Sequence, residues 1–289
     1  MAYQPLKKTI SHLPTASSIN TNVWVADDGQ AYGRYFNSSL TSAFQALRST
    51  LDLQVVGYQA TARSYAPGQQ SESGLSLWRL LDHAASDDES VELDRLCRLL
   101  HAINFYRQPQ AFGQDLYLHV HSRLLAAVQQ NHGAAFRRIL DTLELPHQHI
   151  ALELPHNSSN QRWILNHVSA NYQLNGFRIV VNVGDIAQGS ELARHPNIAA
   201  IRLDGSSALD SDALASLCSV ARETGTNIII KKLDNLQYYQ TIEKVAQAEK
   251  QEIYVQGFLF DKPNASLFSY PVRLAGLRAG MACQCSSQQ

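Results

Sequence analysis

The side chains best suited to chemistry in this sequence stand at the ends of short apolar runs. His119 and His121 are two residues apart, so in an extended strand both rings point to one face. With Glu153 they make the two-histidine, one-carboxylate set that suits a transition metal such as Zn²⁺, and His156 is a further candidate. The plainer reading is two histidines filling a polar cleft, and it outweighs the metal because no outer pattern of partners is readable. Arg63 can take a phosphate through two parallel hydrogen bonds, or simply end a strand in an ion pair. Gln59, Asn182, Arg202, Asp204, Lys231, Asp234 and Gln256 follow apolar runs in the same way. Cys97 and Cys218 fall on apolar helical faces as core residues, and Cys283 and Cys285 are an idle pair in a Gly/Ser/Gln-rich tail.

These residues need elements to position them. Apolar stretches of strand length occur at residues 53–57, 116–120, 149–154, 177–181, 199–203, 227–230 and 253–258. Segments with helical period lie between them, such as Leu93, Leu96, Cys97, Leu100 and Ile103. Another is Leu214, Leu217, Cys218 and Ala221, opened by Asp210/Ser211 and closed by Gly225. Near-continuous apolar strands separated by helices predict a parallel sheet covered on both faces. Seven or eight such units favour a closed α/β barrel, a (β/α)8 TIM-like fold, over an open doubly wound sheet. No Gly-x-Gly-x-x-Gly or phosphate-binding loop follows a strand. In such a barrel chemistry belongs at the C-terminal ends of the strands, where the residues above stand.

Composition sets the outer bounds. At 289 residues with 45% hydrophobic side chains, the chain has enough apolar material to exclude global disorder. Its 24 basic and 25 acidic residues, without a basic run, exclude a dedicated nucleic-acid binder. Four cysteines are too few for a disulfide scaffold. Residues 1–20 lack the apolar core of a secretory leader and no apolar run reaches membrane-spanning length, so a cytoplasmic protein is expected, with no membrane contact. Residues 1–39 read as a weakly structured or capping extension with a short strand at 22–26, residues 40–270 as the barrel, and 271–289 as a tail.

Taken in order, the strand ends resemble the EAL family of cyclic di-GMP phosphodiesterases. Residues 255–263, Val-Gln-Gly-Phe-Leu-Phe-Asp-Lys-Pro, are similar to the family's closing Q-G-[YF]-L-F-x-x-P. Residues 57–63, Gly-Tyr-Gln-Ala-Thr-Ala-Arg, resemble the signature G-[YF]-E-A-L-x-R. Residues 116–121 follow L-S-V-N-L-S, 152–156 L-E-I-T-E, 176–183 G-x-R-I-A-I-D-D, and 201–206 L-K-I-D-R-S. Residues 228–235 fall where the family reads V-I-A-E-G-V-E-T, and residues 44–47 resemble the Y-Q-P-I strand.

The resemblance implies a barrel whose active members hold two divalent cations at the mouth, cleave cyclic di-GMP and commonly dimerise. It places metal ligands at Gln59, His119, Glu153, Asn182 and Val183, a supporting lysine at Arg202 before Asp204, and a supporting acid at Lys231. Only Glu153 keeps the family's residue among these ligands. Hard cations want several anionic oxygens, which Gln, Asn and Val do not supply, and the Lys231 ammonium repels them. Two-metal hydrolysis needs both ions. The expectation is therefore a catalytically inactive regulatory barrel with no cofactor, which binds cyclic di-GMP through Arg63, Gln45, Gln256 and Gly257. The alternative is a barrel that has lost the nucleotide and acts on a transcription or motility protein.

Overall fold

A computed structural model of the chain describes residues 23–27, 29–36, 38–65, 86–122, 132–155 and 162–267. The strands are β1 (Val23–Val25), β2 (Ala31–Tyr35), β3 (Ser38–Ser49), β4 (Val55–Tyr65), β5 (Asp115–His119), β6 (Ile150–Leu154), β7 (Arg178–Asn182), β8 (Ala200–Asp204), β9 (Asn227–Lys231) and β10 (Ile253–Val255). The helices described are α1 (Asp87–Tyr106), α2 (His132–Thr142), α3 (Arg162–Leu174), α4 (Ile186–Leu192), α5 (Ser211–Thr224) and α6 (Leu236–Glu249). Strands β4 to β10 run parallel in chain order with helices between them. The sheet closes because β3 pairs with both β4 and β10, giving an eight-stranded barrel with flanking helices.

Two details differ from a regular (β/α)8 barrel. Strand β3 is antiparallel to both neighbours, since a tight hairpin rather than a helical crossover joins it to β4. Its chain direction is reversed, so Gln45 pairs with Gln59 near the mouth while Arg48 lies toward the opposite end. The extension expected at 1–39 also holds regular structure in its described part. There β1 and β2 add to β3 as antiparallel strands, and β3 itself begins at Ser38, inside the expected boundary. The physical reason is the edge left open by the upper half of β3: Thr41 and Asn104 capture the backbone of Ala31 and seat β2 there.

Local signals account for the helices. Ser86 caps α1 by accepting from the Glu89 amide, and Asp210 caps α5 by accepting from the amides of Asp212 and Ala213. Gly225 ends α5 at φ 72°, a left-handed conformation that glycine takes without steric cost. Helix faces and outer strand faces share one large core, including Leu93, Leu100, Leu118, Ile179 and Leu217.

The barrel interior is filled separately. Leu47, Val56, Tyr117, Ala151, Val180, Ala200, Ile229 and Tyr254, one from each barrel strand, form an apolar plug. Strand side chains alternate with period two, so the residue two further on faces the same interior, one layer higher. From Tyr117, Ala151, Val180, Ala200, Ile229 and Tyr254 that step reaches His119, Glu153, Asn182, Arg202, Lys231 and Gln256. On the reversed β3 it reaches Gln45 from Leu47. The polar layer at the mouth is thus positioned by the apolar layer beneath it.

Candidate functional site

Above the plug lies a cavity of about 680 Å³, within the range of small-molecule sites. Its lining includes Gln45, Gln59, His119, Glu153, Asn182, Arg202, Lys231 and Gln256, so the polar layer stands together as its floor. Lys232, Asp234, Gly257 and Phe258 form one lip, and Asp94, Cys97, Arg98 and His101 of α1 line a side.

Glu153 and Arg202 are the centre of the floor, both 1% exposed. The Arg202 Nη1 lies 2.8 Å from Glu153 Oε1, while Gln59 Nε2 donates to Glu153 Oε2 at 2.8 Å. The Arg202 Nη2 also donates to Gln59 Oε1 at 2.8 Å and to Gln256 Oε1. Burial pushes the Glu153 carboxyl up, but Arg202, His119, Lys231 and a hydrogen bond from Asn182 outweigh it and hold the carboxyl below its ordinary value. The His119 Nδ1 is 4.0 Å from Glu153 Oε2, and burial nonetheless keeps the His119 pKa below the usual imidazole value. Lys231 donates to Asn182 Oδ1 at 2.7 Å, and Asn182 Nδ2 donates to the Leu154 carbonyl at 2.9 Å. Burial and Arg202 depress the Lys231 pKa against the pull of Glu153 and Asp204.

This donor set does not fit the two divalent cations implied at the sequence level. Glu153 Oε1 is paired with Arg202 and its Oε2 accepts from Gln59, Asn182 receives an ammonium, and Val183 packs into the outer core. A transition-metal site from His119, His121 and Glu153 does not assemble either. The Glu153 carboxylate is committed to Arg202 and Gln59. Among the described residues no group of three or more His, Cys, Asp or Glu side chains converges to hold a metal. His156 lies outside the described residues.

The residues expected to hold a ligand divide. Gln256 is buried in the floor, and its Nε2 has no hydrogen-bond partner. Gln45 also lines the cavity but donates to the Asp261 carbonyl at 2.7 Å. Arg63 donates to the Pro263 carbonyl at 2.7 Å and stands outside the described lining. Gly257 serves close packing, because any Cβ there would meet the backbone of Leu233.

The sequence reading missed the α1 wall. Asp94 pairs with the buried Arg98 at 2.7 Å, and His101 bonds Ser42 at 2.8 Å, with burial holding the His101 pKa down to about 3. The signal was present as polar residues at helical spacing, Asp94, Arg98 and His101, within an otherwise apolar face. Lys232 was missed too, although it stands where the resembled motif has glycine.

Comparison with known proteins agrees with this fold. A family model described as EAL domain matches residues 34–263. No curated protein matches the sequence. The Bacillus subtilis YkuI protein, solved with its EAL domain in complex with c-di-GMP and calcium, superimposes with a TM-score of 0.64 at 20% identity, over 84% of this chain and 60% of that one. This chain therefore spans less than two thirds of that relative's length. The FimX EAL domain from Pseudomonas aeruginosa bound to c-di-GMP gives 0.64 at 16% identity, over 80% of this chain and 93% of that one. A standalone EAL protein from Vibrio cholerae O395 in its c-di-GMP-bound form gives 0.60 at 13% identity, over 81% and 97%. No helix among the described residues is long and apolar enough to cross a membrane.

Proposed function

This chain belongs to the EAL domain family, and on that premise we propose that its barrel mouth binds cyclic di-GMP without hydrolysing it. The observation that carries this reading is the Glu153–Arg202 pair at the floor of the cavity. The floor carries two cationic side chains, Arg202 and Lys231, and the carboxylate that would hold a metal is paired with Arg202. A phosphodiester anion meets the Lys231 ammonium there, while a metal-activated water has no set of anionic oxygens to form on. The Nε2 of Gln256 supplies a buried donor awaiting an acceptor, such as a guanine or phosphate oxygen. Several solved EAL proteins of similar fold were obtained with c-di-GMP, which makes it the first ligand to test.

A second reading rests on Gln45 and Arg63. Both donate to backbone carbonyls of the 261–263 segment, which removes two of the expected ligand contacts. In that case the barrel acts as an interaction module toward a regulatory protein.

Calorimetric titration with cyclic di-GMP, with Mg²⁺ and with a chelator, separates the readings while the nucleotide's fate is followed by chromatography. The expected result is micromolar binding, equal under both conditions, with no linear dinucleotide formed. Turnover in Mg²⁺ overturns the non-hydrolytic reading. No heat at hundred-micromolar nucleotide favours the interaction module.

A further inference from the structure

Strand β9 ends in Lys231 and is followed at once by Lys232, and the two ammonium groups converge. Neighbouring residues of a strand normally point to opposite faces. Here Lys232 takes φ 57°, a left-handed conformation that a residue with a Cβ adopts at a steric cost. The turn brings both side chains to one carboxylate: Lys232 Nζ lies 2.8 Å from Asp204 Oδ2, and Lys231 Nζ lies 3.4 Å from Asp204 Oδ1. Both lysines also line the cavity.

The surroundings hold this strained turn in place. A Cβ on Gly205 would come within 3.3 Å of the Lys231 carbonyl oxygen and 3.5 Å of that of Lys232. On the other side Gly257 packs flat against Leu233, whose amide donates to the Gln256 carbonyl at 3.0 Å. Two glycines and a backbone hydrogen bond therefore clamp the segment. Strain of this kind persists where neighbours over-determine it and gathers at functional positions. A glycine at residue 232 would make the same turn without the cost, so the lysine is explained by its ammonium.

We propose that Lys231 and Lys232 form a phosphate-binding subsite at the cavity lip, with the Asp204 carboxylate as its internal counter-ion until a ligand's phosphate displaces it. Two ammoniums against one carboxylate leave the cluster one positive charge. Its geometry, two Nζ groups on two oxygens of one anion, is what a phosphate oxygen pair requires. Lys231 is 24% and Lys232 68% exposed, so an incoming anion reaches both, whereas Arg202 beneath them is sealed. In this reading Asp204 tunes affinity, and the ligand class is a phosphodiester or phosphate ester bound without metal.

The subsite builds on the cyclic di-GMP reading but is tested apart from it, using inorganic pyrophosphate alongside the nucleotide. Both are titrated against the unaltered chain and the Lys232→Gly, Lys231→Gln and Asp204→Asn variants. Lys232→Gly and Lys231→Gln are each expected to weaken binding about tenfold and to flatten its salt dependence. Asp204→Asn, which removes the competing carboxylate, is expected to strengthen it about tenfold. Lys232→Gly should keep or raise Tm, which separates lost binding from lost folding. If pyrophosphate binds and responds this way while cyclic di-GMP does not bind, the subsite stands and the nucleotide reading falls. If cyclic di-GMP binds but both lysine variants stay within about twofold, the subsite falls and the nucleotide reading stands. Absence of binding by either anion at millimolar concentration overturns both.

Discussion

Glu153 and Arg202 decide what the floor of this barrel can be. Each is fully enclosed, so neither charge is tolerable without the other. Arg202→Met should therefore cost about 3–5 kcal/mol, because it strands a buried carboxylate. The double variant with Glu153→Gln should recover much of that loss, and denaturant unfolding of the three chains measures both effects. The same pair sets a pH dependence. The Glu153 carboxyl is held below its ordinary value in the folded chain, so its contribution is complete above the unfolded-state value and is lost as pH falls through the depressed one. Stability followed from pH 7 into the acid range should fall less steeply in the Glu153→Gln chain. An unchanged slope would assign the acid sensitivity to other carboxylates.

Among the elements, α5 is the one most completely specified by its local sequence. Asp210 satisfies two amides at its start, and Gly225 supplies the left-handed residue at its end. Asp210→Ala and Gly225→Ala should each lower stability by about 1 kcal/mol, read as independent and additive shifts of the unfolding midpoint. Strands β5 to β9 were equally legible, because each is a short apolar run buried on both faces. The long hairpin of β3 and β4 was legible only in part. Its segments Ser-Ser-Leu-Thr-Ser-Ala and Gln-Ala-Thr-Ala-Arg are polar or small, and they are strands because β3 and β4 as wholes pair over ten registered positions. Their small outward residues match the close approach of α1, a tertiary fact with no local signature. Lys232 shows the same limit. A lysine just after a strand gives no sign that its backbone turns left-handed, since Gly205 and Gly257 impose that from the turns after β8 and β10.

For the whole molecule, closure of the barrel rests on the seam between β10 and β3, which has a short register of two pairs. Arg48, 3% exposed, reinforces it with Nε and Nη2 on Asp261 at 2.6 and 2.9 Å and Nη1 on the Leu53 carbonyl. Asp261→Ala should cost about 3–5 kcal/mol and raise hydrogen exchange selectively at the Ile253 and Val255 amides. A loss spread evenly over all strands would refute a special role for the seam.

Sequence alone determined the alternation of strands and helices, the family, and the ring of residues at the mouth. Those follow from apolar periodicity and the order of motifs, which are properties of the chain read in one dimension. It also carried Gln59, Asn182 and Lys231 as members of that ring. Only the tertiary structure decided what those side chains touch. That Arg202 neutralises Glu153, that Gln45 and Arg63 are tied to the 261–263 segment, and that two lysines meet on Asp204 are contacts between distant parts of the chain. Charge acts through distance and burial, and neither exists until the barrel has closed.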